Sequence, residues 1–552
     1  MRSVPARAGL LGALFAAFVT LPGLGVGTLW DNSETAYGEV AREIVLTHDW
    51  VVMHLNGQPW FVQPPLYFWI AALCAKAFGV GTFAMRLPAA LATIAMGGAV
   101  GYATARIAGV RAGTVAAIVL STSLMQAIVG RLAIMDALLD FAVAAAVLWW
   151  YRAFEPSGSP RRRDTALVCG AIALAFGTLA KGPVAPVIAV LVSGAWLLWE
   201  LRAGRIALPT RRAVVLAIVA YLAITLPWFV ALALRVGPAA IAELIGHYTV
   251  GRYTGVIENQ RGPVWYYVPV LILGFFPWIA FLPVALASGW RAARTPDGSL
   301  ARFALVWTVL PLAFFSFAST KLPNYVALML PAPAILVALW FERVAESRRR
   351  LAAVVSAATI PLFLGLVAIA VAVFARSNRL DAEAVLPQLF ALAVIMLAGS
   401  VGTVIALARR ASLGWAPYVL ALTSGALVLF IALVAEPAAE RLKPIPALAQ
   451  AIDRARHPGD VVGMHGASGG NALIFYTAPP VADVSDDRDF VGTICPGTDV
   501  WLVTTPDEAS RLAALARESG RDARIVSRKP NADPRAALLH VYGPPCRRGA
   551  RG

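Results

Sequence analysis

Residues 161–212 read RRRDTALVCGAIALAFGTLAKGPVAPVIAVLVSGAWLLWELRAGRIALPTRR. Two apolar runs, 166–180 and 182–199, are separated by the turn Ala180-Lys181-Gly182-Pro183, and every arginine lies beyond their far ends. Each run is close to the length that carries a helix across about 30 Å of hydrocarbon. Cytoplasmic loops collect Lys and Arg, so Arg161–Arg163 and Arg202–Arg212 mark one side of a bilayer. The Lys181 turn then marks the other. The segment reads as a helical hairpin that crosses a membrane twice.

The same grammar repeats outward. The chain has 552 residues, 59% hydrophobic and 14% charged, where soluble proteins average about 45–50% and 25%. That excludes a soluble enzyme, a fibre and a disordered chain. Candidate spans fall at 9–29, 88–107, 111–129, 138–153, 166–180, 182–199, 213–235, 265–288, 303–319, 322–341, 351–374, 386–408 and 414–435, about 13 transmembrane helices. The net charge is 47 − 31 = +16. Its basic residues gather at span ends, including Arg348–Arg350 and Arg409-Arg410, so the excess reads as topology and no nucleic-acid partner is expected. With the N-terminus cytoplasmic, the arginine-rich loops all fall inside and an odd number of spans leaves the C-terminus outside. Segment 65–80 is short and carries Lys76; counting it as a span would invert every later loop, so it reads as an interfacial helix.

From about residue 438 short apolar runs alternate with the helical stretch PDEASRLAALARESG, which suggests a small α/β domain. With no glycine-rich phosphate loop and no catalytic triad spacing, it reads as a docking or lid domain. The expected division is therefore a transmembrane domain, 1–437, and an extracytoplasmic domain, 438–552. Of the four cysteines, Cys74 and Cys169 read as packing residues, whereas Cys495 and Cys546 share the outer tail, where a disulfide can persist.

Ionisable residues near membrane depth are expensive and point to function. Here they collect in the outer loops: Asp31, Glu34 and Tyr37 on a helix expected to run from the Asp31-Asn32-Ser33 cap to about Leu46, then Arg131, Asp136, Lys181, His247, Arg252 and Lys321 with Tyr325. Lys321 and Tyr325, four apart, are expected to share a helical face. Each cation alone reads as an anchor that snorkels to the interface. Together, cations suited to a phosphate and carboxylates suited to a hydroxyl or proton describe one outward-facing site.

The ordered motifs SETAYGEVARE, HDWVVMHLNGQPWFVQPPLYFW, RLAIMDALL, AKGP, GHYTVGRY and STKLPNYVALMLPAP resemble the 4-amino-4-deoxy-L-arabinose lipid A transferases (ArnT) and the wider protein O-mannosyltransferase-related group. The resemblance covers roughly 20–340. It implies an all-α polytopic GT-C membrane fold and an inverting glycosyltransferase of the inner membrane, which takes a sugar from a polyprenyl-phosphate carrier and passes it to a lipid or protein acceptor on the periplasmic side. It implies a donor-phosphate role for Arg252, Lys321 and Tyr325, with Gln63 at a lysine position of the family. Asp136 and Glu34, with Asp31 beside it, become the catalytic candidates, Tyr37, Arg131 and Lys181 line the substrate cavity, and Glu39 and Arg42 match the family's helix. His247 matches one residue of a metal-binding pair, so a divalent metal is the one cofactor the resemblance raises. Three positions depart from the pattern: Ser33 replaces an aspartate, Val62 a metal-ligating glutamate and Gln63 a phosphate-binding lysine. Alternatives are a protein O-glycosyltransferase of the same fold and a lipid-binding scaffold or transporter without catalysis.

The topology has a direct test. Reporter fusions after Arg163 should show cytoplasmic activity, and fusions after Gly79 and Ala438 extracytoplasmic activity; a cytoplasmic signal at Ala438 would sink the thirteen-span order.

Overall fold

The structure is a computed structural model that describes residues 3–30, 32–156, 158–257, 260–343, 357, 382–409, 414–440, 443–466, 470–477, 479–526 and 536–546. The expected span 351–374 and Asp31 lie outside the described residues. The chain forms two compact units: 1–26, 61–70 and 86–435 make the first, and 27–60, 71–85 and 436–552 the second.

In chain order the first helices are α1 (Ser3–Thr20), α2 (Ser33–Thr47), α3 (Leu66–Phe78), α4 (Thr82–Ala108), α5 (Val110–Ser121), α6 (Leu124–Val129), α7 (Asp136–Phe154), α8 (Pro160–Lys181), α9 (Val184–Arg202) and α10 (Arg211–Val236). Among the described residues eight helices are long and apolar enough to cross a membrane, or ten if each of two bent pairs is one span. Helices dominate because hydrocarbon offers no partner to backbone N–H and C=O groups, and a helix satisfies them within itself. The α3 helix has 13 residues, a rise of about 20 Å, too short to cross.

Small residues bring α1, α4 and α5 together. A Cβ on Gly12 would lie 2.6 Å from Ala117 Cβ and 2.7 Å from the Gly97 carbonyl, so the close approach needs glycine there. Gly97 and Gly101 supply the spacing common where membrane helices touch.

Three expected spans are interrupted. Span 111–129 divides into α5 and α6 because the Ser121, Thr122 and Ser123 hydroxyls donate back to the carbonyls of Ala117, Ile118 and Val119, at 2.8, 2.6 and 2.7 Å. Span 265–288 is two pieces, Val264–Gly274 and Trp278–Ala293, bent by 110°; Pro277 stands at the break, where it brings no backbone N–H. Span 322–341 starts as a 3-10 turn, Pro323–Met329, and bends by 50° into Pro331–Phe341. Span 9–29 is helical only to Thr20, with Pro22 just beyond.

The second unit contains a five-stranded sheet. Its strands, after the hairpin β1 (His54–Leu55) and β2 (Gln58–Pro59), are β3 (Val461–His465), β4 (Val481–Asp483), β5 (Val500–Thr504), β6 (Asp522–Ile525) and β7 (Ala537–Tyr542), in the order β4-β3-β5-β7-β6. β3 is parallel to β4 and β5, and β7 is antiparallel to β5 and β6. Alternating side chains build two cores: Val462, Trp501, Val503 and Leu538 on one face, and Val500, Leu502, Leu539 and Val541 on the other. This is the small α/β region read from the tail, and Cys495 and Cys546 are joined in it.

Residues 27–60 belong to this unit through specific bonds. Glu440 accepts from the Thr28 amide at 3.0 Å and the Thr28 hydroxyl at 2.7 Å, while Lys443 donates to the Thr28 carbonyl at 2.8 Å. The Leu29 amide donates to the Tyr476 hydroxyl at 2.8 Å, and Asn56 exchanges two bonds with Val481.

Among the described residues of the first unit, Arg302 and Glu200 form a buried ion pair. Arg302 and Glu200 are each 1% exposed, 2.6 Å apart, and the guanidinium also donates to the carbonyls of Ala293, Thr295 and Pro296. Removing one partner strands a charge. Glu200→Ala should therefore cost about 3–5 kcal/mol, read as a lower unfolding temperature in detergent, whereas Glu200→Leu with Arg302→Met should cost less than the two single changes summed.

Candidate functional site

The first unit gathers its polar groups where three helical elements end. Asp136 opens α7 and Lys181 closes α8. Lys181 Nζ lies 2.5 Å from Asp136 Oδ1, and Asn324 Nδ2 donates to the same oxygen at 2.6 Å. Both members of the pair are largely buried, the carboxylate 6% exposed and the ammonium 14%. Lys181 also stands 5.3 Å from the Tyr325 ring centre, where a cation meets the negative face of the π-system. One carboxylate oxygen thus holds a lysine and an amide in fixed places. The turn beyond Lys181 is set by Gly182, whose φ of 72° suits glycine, and a Cβ there would meet Thr249 and Pro64. The Gln63-Pro64-Pro65 segment and the Glu243–Gly251 π-helix therefore adjoin the Lys181 turn; Gln63 itself is 9% exposed.

A second pairing brings Arg252 beside Lys321. The Ser319 and Thr320 amides donate to the carbonyls of Tyr253 and Arg252, at 2.9 and 3.0 Å, and the Lys321 amide donates to the Gln260 carbonyl at 2.9 Å. The Arg252 guanidinium donates to Gln260 Oε1 at 3.3 Å. Lys321 is 5% exposed, and Nζ donates to the carbonyls of Phe315, Ser316 and Ala318 at 3.1, 2.6 and 2.6 Å. Its ammonium thereby caps the end of helix Ser299–Phe317, and burial holds it below the usual lysine range. The expected shared face of Lys321 and Tyr325 is not formed. Leu322 precedes Pro323 and is extended, φ −123° and ψ 134°, so Lys321 lies before the helical turn that carries Tyr325.

Arg131 has a structural setting too: it is 7% exposed and donates to the Thr20 carbonyl at 2.6 Å, at the end of α1. His247 is exposed and edge-on to Tyr248, ring centres 4.8 Å apart. Among the described residues no group of three or more His, Cys, Asp and Glu is placed to hold a metal ion.

The second unit carries the other candidates on α2. Asn32 occupies the N-cap position without capping the helix through its side chain, whose Oδ1 accepts from Asn471 Nδ2, and Glu34, 2% exposed, accepts from the Trp30 amide at 2.8 Å. Tyr37 packs edge-on against Trp60, 6.0 Å between centres. Deeper on the same helix Glu39 is fully buried and receives two bonds from Arg42, at 2.8 and 2.9 Å, while Arg42 also donates to the Ile474 carbonyl at 3.2 Å. Glu43 accepts from the Gly57 amide at 3.0 Å.

Sequence reasoning passed over Asn324 and Gln260, which hold Asp136 and Arg252. Asn324 was visible as the polar residue inside Leu322-Pro323-Asn324-Tyr325; Gln260 has no distinguishing signal in its loop.

Residues 8–237 match the family described as dolichyl-phosphate-mannose-protein mannosyltransferase. The chain is 31% identical over 334 residues to an undecaprenyl phosphate-alpha-4-amino-4-deoxy-L-arabinose arabinosyl transferase of Edwardsiella ictaluri, 60% of this chain and 59% of that protein. A Sodalis glossinidius protein of the same description is 32% identical over 61% of this chain and 60% of its own length. The chain thus spans about three-fifths of the curated relatives it matches. In fold it is similar to ArnT from Cupriavidus metallidurans bound to undecaprenyl phosphate, with TM-score 0.76, 23% identity and 96% and 97% of the two chains covered. It is also similar to the Archaeoglobus fulgidus oligosaccharyltransferase, with TM-score 0.52, 11% identity and 93% and 70% covered.

Burial on α2 makes a pH prediction. Burial pushes the Glu39 carboxyl up from 4.5 to about 7, outweighing the pull of Arg42, and neighbouring Glu43 adds to the rise. Between these values the native chain holds more protons than the unfolded one, so Glu39's contribution is full below about 4.5 and is lost as pH rises through 7. Melting curves in detergent should show stability falling over that window in the wild type, and a flatter profile in Glu39→Gln.

Proposed function

We propose that this chain, an ArnT-like multi-pass membrane protein with the GT-C fold, is an inner-membrane glycosyltransferase that moves a sugar from a polyprenyl-phosphate carrier to a lipid acceptor of the lipid A type. The observation that carries the reading is the buried Asp136–Lys181–Asn324 centre. A buried cation with an aromatic face beside it suits a phosphate leaving with growing negative charge. In the reaction the acceptor oxygen forms a bond to the anomeric carbon from the face opposite the carrier. The bond from that carbon to the phosphate oxygen breaks, configuration inverts and polyprenyl phosphate leaves with the electron pair.

Lys181 and Arg252 stabilise the departing phosphate, and Asn324 keeps Asp136 oriented as Lys181 turns toward it. Lys321 supports the donor region from its place at the helix end, with Gln63 and Tyr325 completing the lining and Arg131 fixing α1. Glu34 serves the acceptor as hydrogen-bond acceptor or base, with Tyr37 on the same helix and Asp31 preceding it in the chain. An acceptor that is already an ionised phosphate needs little base, which accommodates Ser33. The reading includes a cytoplasmic N-terminus, a membrane domain ending near 437 and a periplasmic domain from 438. The match to a protein mannosyltransferase family favours a protein acceptor as the second reading.

Incubating the purified protein with a panel of undecaprenyl-phosphate sugars should release undecaprenyl phosphate when lipid A is supplied. Lys181→Met and Arg252→Ala should each slow release by about a hundredfold, the scale of losing one preorganised stabilising group, and Glu34→Gln should slow it more than Asp31→Asn. Release from no donor, with either lipid or protein acceptor, would leave the scaffold reading in its place.

A further inference from the structure

Thr28, Leu29 and Trp30, just ahead of α2, belong to no helix or strand, yet each of their amides donates to a side chain. Thr28 donates to Glu440 at 3.0 Å, Leu29 to the Tyr476 hydroxyl at 2.8 Å and Trp30 to Glu34 at 2.8 Å. The Thr28 hydroxyl and carbonyl add bonds to Glu440 and Lys443, at 2.7 and 2.8 Å. Gly27 lets the clamp close: its φ is 74°, and a Cβ there would lie 2.6 Å from Glu440 Oε1. Surface segments usually give such groups to water. Here side chains fix the backbone that carries the Trp30 indole.

The ring itself is fixed as well. Lys443 Nζ stands 3.9 Å from its centre, where a cation meets the negative face of the π-system. That ammonium is held by Glu440 at 2.7 Å and by the Thr28 carbonyl, and its side chain is 9% exposed. Trp30 nonetheless remains 37% exposed, and among the described residues its indole N–H has no acceptor. A tryptophan that only anchors a chain at a membrane surface needs neither a clamped backbone nor a cation against its ring. A shelf that must present one face in one place needs both.

An indole offers a flat apolar face with a donor at its rim. A pyranose ring offers C–H groups on one face and oxygen or nitrogen substituents around its edge. We propose that Trp30 is the shelf on which a sugar ring of the acceptor stacks, with the indole N–H meeting an oxygen at the edge of that ring. The acceptor is thereby chosen by its saccharide and not by its acyl chains. The proposal rests on the glycosyltransferase reading for its ligand and on the clamp at Thr28–Trp30 for its place. Because the Trp30 amide is tied to Glu34, a sugar on the shelf lies beside the carboxylate that this reading assigns to the acceptor.

The unacylated glucosamine disaccharide bisphosphate of lipid A isolates the saccharide, and its binding to the purified full-length protein can be measured by saturation-transfer NMR. Undecaprenyl phosphate serves as the donor-side probe, and Trp415→Leu, at a tryptophan 67% exposed in the first unit, as the control. Trp30→Leu should weaken the disaccharide about tenfold or more, the scale of a central aromatic contact, and leave undecaprenyl phosphate and the control unchanged. Trp30→Phe keeps a ring without the N–H and should lose about threefold, the scale of one neutral hydrogen bond. In the wild type the Trp30 indole N–H resonance, assigned by its absence from Trp30→Phe, should shift as disaccharide is added, a readout that does not depend on the leucine variant folding. Unchanged disaccharide binding in Trp30→Leu, an unmoved indole resonance, equal loss of both probes, or a lower unfolding temperature with disaccharide binding intact would overturn the proposal. Trp30-dependent disaccharide binding in a protein that releases no undecaprenyl phosphate would support the shelf and overturn the enzymatic reading. Release to a protein acceptor without disaccharide binding would do the reverse.

Discussion

A lysine at the end of an apolar helix, largely shielded from water, needs a negative partner, and that requirement organises the first unit. Lys181 takes Asp136, which begins the helix on the other side of the hairpin, and Asn324 fills the same carboxylate oxygen from a third element. A charge pair at that depth survives only with good geometry and further hydrogen bonds, so the ends of α7 and α8 and the Pro323–Met329 turn are locked together. What the pair gives the fold is registry. In the proposed reaction it supplies a largely desolvated cation that Asp136 holds until the phosphate arrives.

The other cations near the site divide into two kinds. Arg131 and Lys321 are occupied with helix ends, where carbonyls lack intrahelical partners. Lys181 is instead held by a side-chain carboxylate, a partner that can exchange it for another anion without unwinding a helix. Arg252 is connected to Gln260, and the backbone hydrogen bonds of 319–321 to the carbonyls of Tyr253, Arg252 and Gln260 keep it near Lys321.

Much of this was legible in the chain, for identifiable reasons. The hairpin of 161–212 followed from hydrophobic run length and arginine placement, which report the solvent on each side. The α2 helix, the tail's α/β character and the Cys495–Cys546 pairing followed from local pattern and shared location. The breaks at Ser121–Ser123 and Pro277 were not seen, since a hydropathy run averages over the hydroxyl back-bonding and proline chemistry that interrupt a helix. Lys321 was read as facing the site with Tyr325 because a four-residue spacing assumes a continuous helix, and Pro323 ends that assumption. Asn324 was missed because its role depends on Asp136, 188 positions away, and a lone sequence carries little trace of so distant a contact.

The central claim is that Lys181, released from Asp136, binds the carrier phosphate. Phosphorus NMR of undecaprenyl phosphate bound to the purified protein tests it most directly. In the wild type the bound phosphate should ionise at lower pH than the same lipid in detergent alone, since a nearby cation favours the more charged form. Lys181→Met should bring that ionisation most of the way back, and Lys181→Arg should keep it low. An identical titration in wild type and Lys181→Met, with the lipid demonstrably bound in both, would contradict the account.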